Sequence, residues 1–491
     1  MKTIEDFIGI RLDGEGPLHR QIYRAVRGAI LDGDLREGTR LPATRRLAAA
    51  LGVSRNTVLQ AFEQLTAEGF LNSRVGSGTH VASPLPGTGC PPDRSGLQRL
   101  RRPGASPRWS RYAERIGQLA PPEHSPSPPP RYDFRYGRVD ADERLLKLWQ
   151  RLVSRAAERY PVDYGNPQGT LELRQSLATY LRSRGCRCEP RQILVTNGSQ
   201  QALDLIARLL INENDHVALE DPGYLGARNA FLSAGAQLRG VPVDDEGLQV
   251  DRIPPKCRLT YVTPSHQFPT GAVLSLRRRL ALLEWAQQSD GWIIEDDYDG
   301  EYRYEGLPIE SVQGLDDSGR TLYVGTFSKI LFPAARLGYI VLPEALVARF
   351  AAAKWWTDRH TPVLEQLALA DLINSGEFQR HLRRMRKRYA EQRAALIEAL
   401  TREFGDEIHV EGTGAGLHVM VSFKNRLPAQ IARLTEEARQ QDIGLYSAER
   451  LFLNQPSEKN VQLLFGYAIL TPQEIVEGIR RVVRKTRSSL R

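Results

Sequence analysis

The stretch Leu322-Tyr323-Val324-Gly325-Thr326-Phe327-Ser328-Lys329 decides how this chain is read. A short apolar run ends in hydroxyls and a lysine, and Arg336 follows seven residues after that lysine. Ligands of open α/β sheets bind beyond the carboxyl ends of the strands. An amine, a hydroxyl and a guanidinium gathered there are therefore placed for chemistry. Similar apolar runs occur at Ile193-Leu194-Val195, Val217-Ala218-Leu219, Leu259-Thr260-Tyr261-Val262 and Trp292-Ile293-Ile294. Helical periods such as Gln201 to Leu210 and Leu276 to Gln287 separate some of them. Strands apolar on both faces and joined by crossover helices predict a mainly parallel α/β sheet.

Three more strand ends carry polar residues. Glu295-Asp296-Asp297-Tyr298 closes one of them. A carboxylate there can keep a pyridine nitrogen protonated, and the tyrosine can bond a phenolic oxygen; any of the three acids satisfies that argument. Gly198-Ser199-Gln200 follows another strand and opens a helix, so its N–H groups and the Ser199 hydroxyl can hold a phosphate. Asp221-Pro222-Gly223-Tyr224 offers an aromatic face for stacking. Amine, acid and phosphate cradle together are what a pyridoxal 5'-phosphate Schiff base needs, with Lys329 as the amine and Thr326 and Arg336 at the phosphate.

Ahead of this body, Leu41 to Val81 has a different grammar. Leu47, Ala48 and Leu51 form the inner face of a short helix, Gly52 supplies a turn, and Ser54 can cap the next helix. Val58, Ala61, Phe62 and Leu65 then fall at helical spacing toward a core. That leaves Arg55, Asn56 and Thr57 exposed at the end which enters the major groove in a helix-turn-helix. Phe70 to Arg74 and Thr79 to Val81 flank Gly76-Ser77-Gly78 as a hairpin wing. An upstream helix, Pro17 to Leu31, places Leu18, Ile22, Val26 and Ile30 four apart.

Residues 1–82 thus form a DNA-binding domain, 83–130 a linker, and 131–491 the larger body. The linker holds the run Pro128-Pro129-Pro130 among many other prolines and should be extended and mobile. Its surroundings, residues 82–131, carry eight arginines against three acids, a concentrated share of the chain's formal charge of +9. That balance permits nucleic-acid binding. The acidic, glycine-broken start is not a signal peptide, and no apolar run approaches the roughly 20 residues that span a bilayer, so a cytoplasmic protein without a membrane partner is expected. Cys186-Arg-Cys188 has no second pair and reads as plain loop rather than half of a metal site. No metal is expected.

The N-terminal segment resembles the winged helix of GntR-type regulators. That resemblance implies Arg45 on the DNA backbone, Ser54, Arg55, Asn56 and Thr57 in the major groove, and Gly76 in the wing. The body resembles fold type I aminotransferases, which implies a mainly parallel sheet and a smaller C-terminal α+β subdomain. GSQQALDL, EDPGY, VTPSHQFPTG, IIEDDYDGEYRY, GTFSK and HLRRMRKRY resemble the MocR-type regulators, which join the two parts. The family spaces acid and tyrosine by two, which implies Asp296 on the ring nitrogen and Tyr298 on the phenolic oxygen; the aminotransferase spacing of three points to Glu295. It further implies Lys329 as Schiff-base lysine, Tyr224 stacking, and Ser199, Gln200, Thr326 and Arg336 at the phosphate. Arg450 matches the arginine that holds an amino-acid carboxylate.

One departure bears on activity. Aminotransferases place asparagine before Pro-Thr-Gly to bond the phenolic oxygen, whereas Phe268 stands there in this chain, with His266 and Gln267 just upstream. The resemblance implies a homodimeric regulator whose partners are double-stranded operator DNA and a small-molecule effector: an amine, an amino acid or a pyridoxal phosphate vitamer. Turnover should be weak or absent. The alternative is a working aminotransferase with an appended DNA-binding module.

Overall fold

The computed structural model describes residues 12–74, 78–83, 85, 110–119, 128–140, 142–159, 163–306, 310–424, 426–454 and 460–489. The chain divides into two compact units, Met1–Arg108 and Trp109–Arg491.

The first unit packs α1 (Leu18–Leu31), α2 (Thr44–Leu51) and α3 (Arg55–Ala67) beside a hairpin of β1 (Leu71–Arg74) and β2 (Gly78–Val81). Val58, Ala61, Phe62 and Leu65 are buried together with Leu47 and Ala48, as their spacing predicts. Gly52 ends α2 in the left-handed conformation at φ 65°, which glycine adopts without the clash a Cβ brings. The predicted stripe of α1 holds for Ile22, Val26 and Ile30, whereas Leu18 is 47% exposed. Gln21 turns inward instead: its amide nitrogen donates to the Gly16 carbonyl at 2.8 Å, and its amide oxygen accepts from Gly14 N–H at 3.0 Å. A polar side chain thus fixes the entry to the helix where a fourth apolar residue was expected. The hairpin pairs Leu71 with Val81 and Arg74 with Gly78. The segment before α2 joins it, through Leu41 N–H to Thr79 O and Val81 N–H to Thr39 O, both at 2.9 Å. Gly76 lies outside the described residues.

The second unit opens with β3 (Tyr132–Asp133) and builds its main sheet from β4 (Ile193–Thr196), β5 (His216–Asp221), β6 (Gln237–Asp244), β7 (Gly247–Leu248), β8 (Cys257–Val262), β9 (Trp292–Asp297), β10 (Thr321–Thr326) and β11 (Gly338–Val341). The strand order is β4-β11-β10-β9-β8-β5-β6-β7. Neighbours from β10 through β6 are parallel, while β11 runs antiparallel between β10 and β4. The predicted parallel α/β sheet is therefore present, with two reversed strands, β11 inside it and the short β7 at its edge beside β6, that the apolar runs did not reveal. Every residue of β4 and β10 is buried, as strands covered on both faces must be. A smaller layer follows: β12 (Ile408–Glu411), β13 (His418–Lys424), β15 (Tyr446–Ser447) and β16 (Asn460–Gly466) form an antiparallel sheet, and β14 (Ile443–Gly444) pairs with β3. The helices Pro428–Arg439 and Pro472–Ser489 accompany it. Among the described residues no helix is long and apolar enough to cross a membrane.

Within the stretch read as an extended linker, Arg111–Gln118 is helical. Ser110 caps it, its hydroxyl accepting from Ala113 N–H at 3.2 Å. Arg111 and Arg115 both reach Glu213, at 2.9 and 2.6 Å, and Arg115 also donates to the Ser233 carbonyl at 3.4 Å. Two arginines on one carboxylate supply a docking point that a proline count does not register. Exposed ion pairs stabilise little, and the Arg111 side chain is 79% exposed. Glu213→Arg should therefore leave the unfolding temperature unchanged while trypsin cleaves at Arg111 and Arg115 several-fold faster. Limited proteolysis read by mass spectrometry checks this, and equal cleavage rates would show that Glu213 does not hold the helix.

Candidate functional site

In the first unit α3 begins at a locked cap. The Ser54 hydroxyl accepts from Thr57 N–H at 3.1 Å and lies 2.8 Å from the Thr57 hydroxyl. The cap thus engages two of the four predicted groove residues and leaves Arg55 and Asn56 exposed at the helix start. Arg45, on α2, is exposed as well. Arg40 forms a bridge to His80 of β2, and its guanidinium lies 3.2 Å from where a Cβ on Gly78 would stand. Both residues escape a reading based on helix periodicity.

In the second unit, strand parity separates the three adjacent acids, because successive side chains of a strand point to opposite faces. Glu295 accepts from the backbone of Val312 at 3.0 Å and of Gln313 at 2.8 Å. Asp297 accepts from Arg184 at 2.7 Å and from the Tyr323 hydroxyl at 2.5 Å. Asp296 points the other way. Its Oδ2 accepts from the Tyr261 hydroxyl at 2.8 Å, whereas its Oδ1 is buried without a partner. Burial lifts this carboxyl to about 7, against the downward pull of the Tyr261 hydrogen bond.

Lys329 follows β10 and donates to the Gly137 carbonyl. Burial lowers its basicity, opposed in part by Asp299 and Asp296, and a less basic amine is the better nucleophile near neutral pH. Gly198, at φ 84°, precedes the helix Ser199–Leu210. A Cβ at Gly198 would lie 2.9 Å from the Arg336 guanidinium, which donates to the Asn197 carbonyl at 2.6 Å. Gly338 of β11 pairs with Thr326 on one side and Thr196 on the other, so the Thr326 and Ser199 strand ends are near neighbours. The Thr326 hydroxyl lies 3.1 Å from that of Ser328. N–H groups at a helix start, hydroxyls and a guanidinium make an anion cradle. Gln200 is exposed and donates to the Gly226 carbonyl at 3.1 Å, bracing the loop of Tyr224.

Above these groups lies an aromatic wall. Phe268 is 8% exposed and stands 5.7 Å from Tyr136, 6.0 Å from Tyr224 and 6.0 Å from Tyr298, ring centre to ring centre. Arg450 is exposed in the turn Glu449–Leu451, and Gly223 N–H donates to the Leu451 carbonyl at 3.0 Å, which sets this turn against the Tyr224 loop. The sequence reading missed Tyr261 and the buried residues Asp299 and His418 around His266. Only the missing asparagine at Phe268 signalled that something nearby had been rebuilt.

Residues 18–81 match the bacterial regulatory proteins of the gntR family, and residues 140–451 match aminotransferase class I and II. The chain is 40% identical over 476 residues, 95% of its length and 93% of the relative's, to the probable rhizopine catabolism regulatory protein MocR of Rhizobium meliloti. This chain belongs to the MocR-type transcription regulators. A further relative, the pyridoxine biosynthesis transcriptional regulator PdxR of Corynebacterium glutamicum, is 32% identical over 405 residues, covering 82% of each chain. Among solved structures, the kynurenine aminotransferase of Pyrococcus horikoshii, in complex with PMP, matches with a TM-score of 0.67 and 27% identity, over 80% of this chain and 98% of that one.

A MocR-type regulator joins a DNA-binding winged helix to an aminotransferase fold, and that fold implies dependence on pyridoxal phosphate. The residues of this regulator fit that group. Asp296 Oδ1 is an orphaned buried acceptor that a protonated ring nitrogen would satisfy, and leaving such an atom unpaired is costly. Its raised value also gives a sign to stability without cofactor. The stabilisation from a protonated Asp296 is complete below the unfolded value of about 3.9 and is lost as pH rises through about 7. Glu220 and Glu295, both also raised to about 7 by burial, add to the same trend. Asp296→Asn should therefore be more stable than the parent in cofactor-free protein. The gap should widen by about 1–3 kcal/mol between pH 5 and 8. Denaturant melts across that range test it, and parallel curves would refute the buried acid.

Proposed function

We propose that this regulator holds pyridoxal 5'-phosphate on Lys329 and couples occupancy of the neighbouring pocket to operator binding. The observation that carries the reading is the pairing of a half-buried amine of lowered basicity with a buried, half-satisfied Asp296 at adjacent strand ends. Asp296 would hold the ring nitrogen, Tyr298 the phenolic oxygen and Tyr224 the ring face, with Ser199, Thr326 and Arg336 on the phosphate. Gln200 would act at that cradle through the loop it braces. When bound, the group supplies an electrophilic carbon and an electron-accepting ring for amines. Arg450 would receive a carboxylate on the effector: an amino acid, another amine or a vitamer of the cofactor. Arg55 and Asn56 would read base edges of double-stranded DNA in the major groove, with Ser54 and Thr57 beside them fixing the helix start, Arg45 on the DNA backbone and Gly76 in the wing. The protein would act as a cytoplasmic homodimer, with residues 1–82 and 131–491 as the two working domains.

The physical logic is linkage: a ligand that binds two conformations unequally shifts their balance by that difference. Phe268 contributes no polar group where catalysis places an amide, which favours sensing over turnover. Borohydride reduction should fix the cofactor to Lys329, and Lys329→Ala should lose the visible absorbance; an adduct mapped to another lysine would refute the assignment. Adding effector should change operator affinity by about 1–3 kcal/mol, with keto-acid product forming far below the roughly 10 per second of a median enzyme. Ordinary turnover with DNA binding indifferent to every ligand would favour an aminotransferase.

On the DNA side, Arg55→Ala should weaken specific binding by about 1–3 kcal/mol at fixed salt and leave the cofactor absorbance unchanged. Gel-shift titration on operator and scrambled DNA measures it. Unaltered specific affinity would remove Arg55 from the reading surface.

A further inference from the structure

His266 and Asp299 are each 1% exposed, and the Tyr298 hydroxyl meets His266. His266 Nδ1 lies 3.2 Å from both Asp299 oxygens and 2.9 Å from the Tyr298 hydroxyl. Its Nε2 is buried with no partner. The imidazole is fitted closely between two glycines in the left-handed region. A Cβ on Gly416 would stand 2.0 Å from His266 Cε1, and one on Gly271 would stand 3.0 Å from Nε2. Gly416 is itself pinned, its carbonyl accepting from the Tyr304 hydroxyl at 2.8 Å and the Tyr467 hydroxyl at 2.6 Å. The His418 ring lies 5.2 Å from that of His266, tilted by 52°, and its Nε2 donates to the Pro269 carbonyl at 3.1 Å.

The geometry points to His266 and Asp299 as a positioning pair that sets which way the Tyr298 hydroxyl proton faces, and through it the charge state of the cofactor bound at Lys329. The inference rests on the cofactor reading above. A carboxylate offers only lone pairs, so the nitrogen between the Asp299 oxygens carries the hydrogen. That nitrogen then has no lone pair for the tyrosine. The Tyr298 oxygen faces an N–H, and its own hydrogen is left to point into the site, at the phenolic oxygen it is proposed to bond. Without the imidazole N–H, nothing prevents the hydroxyl from turning away. The pair thus does indirectly what the amide absent at Phe268 does directly. The charged and titratable groups facing this unit are Asp299 and His418 around His266, Asp299, Asp296, Glu220 and Asp297 around Tyr298, and Asp299 and Asp296 around Lys329. Burial, then His266, press His418 down to about 3, so it stays neutral and adds no competing charge.

A hydrogen donated to the phenolic oxygen stabilises negative charge there and makes the neighbouring lysine nitrogen release its proton more readily. His266→Phe, which keeps a ring but removes the donor, should therefore raise the pH midpoint of the visible absorbance by about one unit, the scale of one hydrogen bond to a charged group. Tyr298→Phe should raise it equally. The double variant should go no further, because both changes remove one interaction.

The test is a spectrophotometric pH titration of full-length protein loaded with pyridoxal phosphate. A parent without visible absorbance would overturn the cofactor reading and this inference with it. A parent that titrates while His266→Phe stays at the parental midpoint, or a double variant whose shifts add, would overturn the positioning pair alone. Should His266→Phe fail to fold, nitrogen NMR of histidine-labelled parent, assigned with His266→Gln, reads Nδ1 directly: a protonated nitrogen supports the pair and a bare one refutes it. The ligand atoms of His266, Asp299 and His418 all lie within 4.8 Å of one another. A spectrum that changed with added zinc and reverted with chelator would replace the hydrogen-bonded pair by a cation site.

Discussion

Burying several carboxylates in one strand is expensive unless each finds a partner, and β9 solves that problem by alternation. Glu295 and Asp297 take the face where the backbone at Val312 and Gln313, Arg184 and the Tyr323 hydroxyl receive them. Asp296 takes the opposite face, with Tyr261 on one oxygen and nothing on the other. The site depends on this asymmetry. A fully satisfied Asp296 would have no reason to bind anything, and an unsupported Glu295 or Asp297 would weaken the sheet that presents it.

Around that acid the second unit brings together segments far apart in the chain. Gly137 receives the Lys329 amine, Arg336 reaches back to Asn197, and the turn bearing Arg450 leans on the loop before Tyr224. Each contact joins a strand end to a loop, so the pocket is assembled by the sheet order rather than by any single motif. The aromatic wall centred on Phe268 then replaces a polar contact with packing.

The first unit works on a smaller scale. Its core is set by helical spacing and one left-handed glycine, and its exposed helix start is fixed by the Ser54 cap. Capping restricts the backbone on which Arg55 and Asn56 sit, so those side chains project from a rigid support.

Local sequence already dictated the parallel sheet, because runs such as Leu322 to Val324 are apolar on both faces and only a covered strand tolerates that. It determined the helix-turn-helix, because Gly52, Ser54 and the Val58 to Leu65 spacing are local signals. It also grouped Lys329, Thr326 and Arg336 after one strand, because they lie on one continuous stretch. The tertiary structure alone gave each acid its partners, since parity names a face only once Tyr261, Arg184 and Tyr323 occupy their sides. It likewise decided that part of the proline-rich stretch docks on Glu213, and that His266, Asp299 and His418 meet. Those contacts join residues tens to well over a hundred positions apart, and no local pattern encodes a partner that only the sheet order brings near.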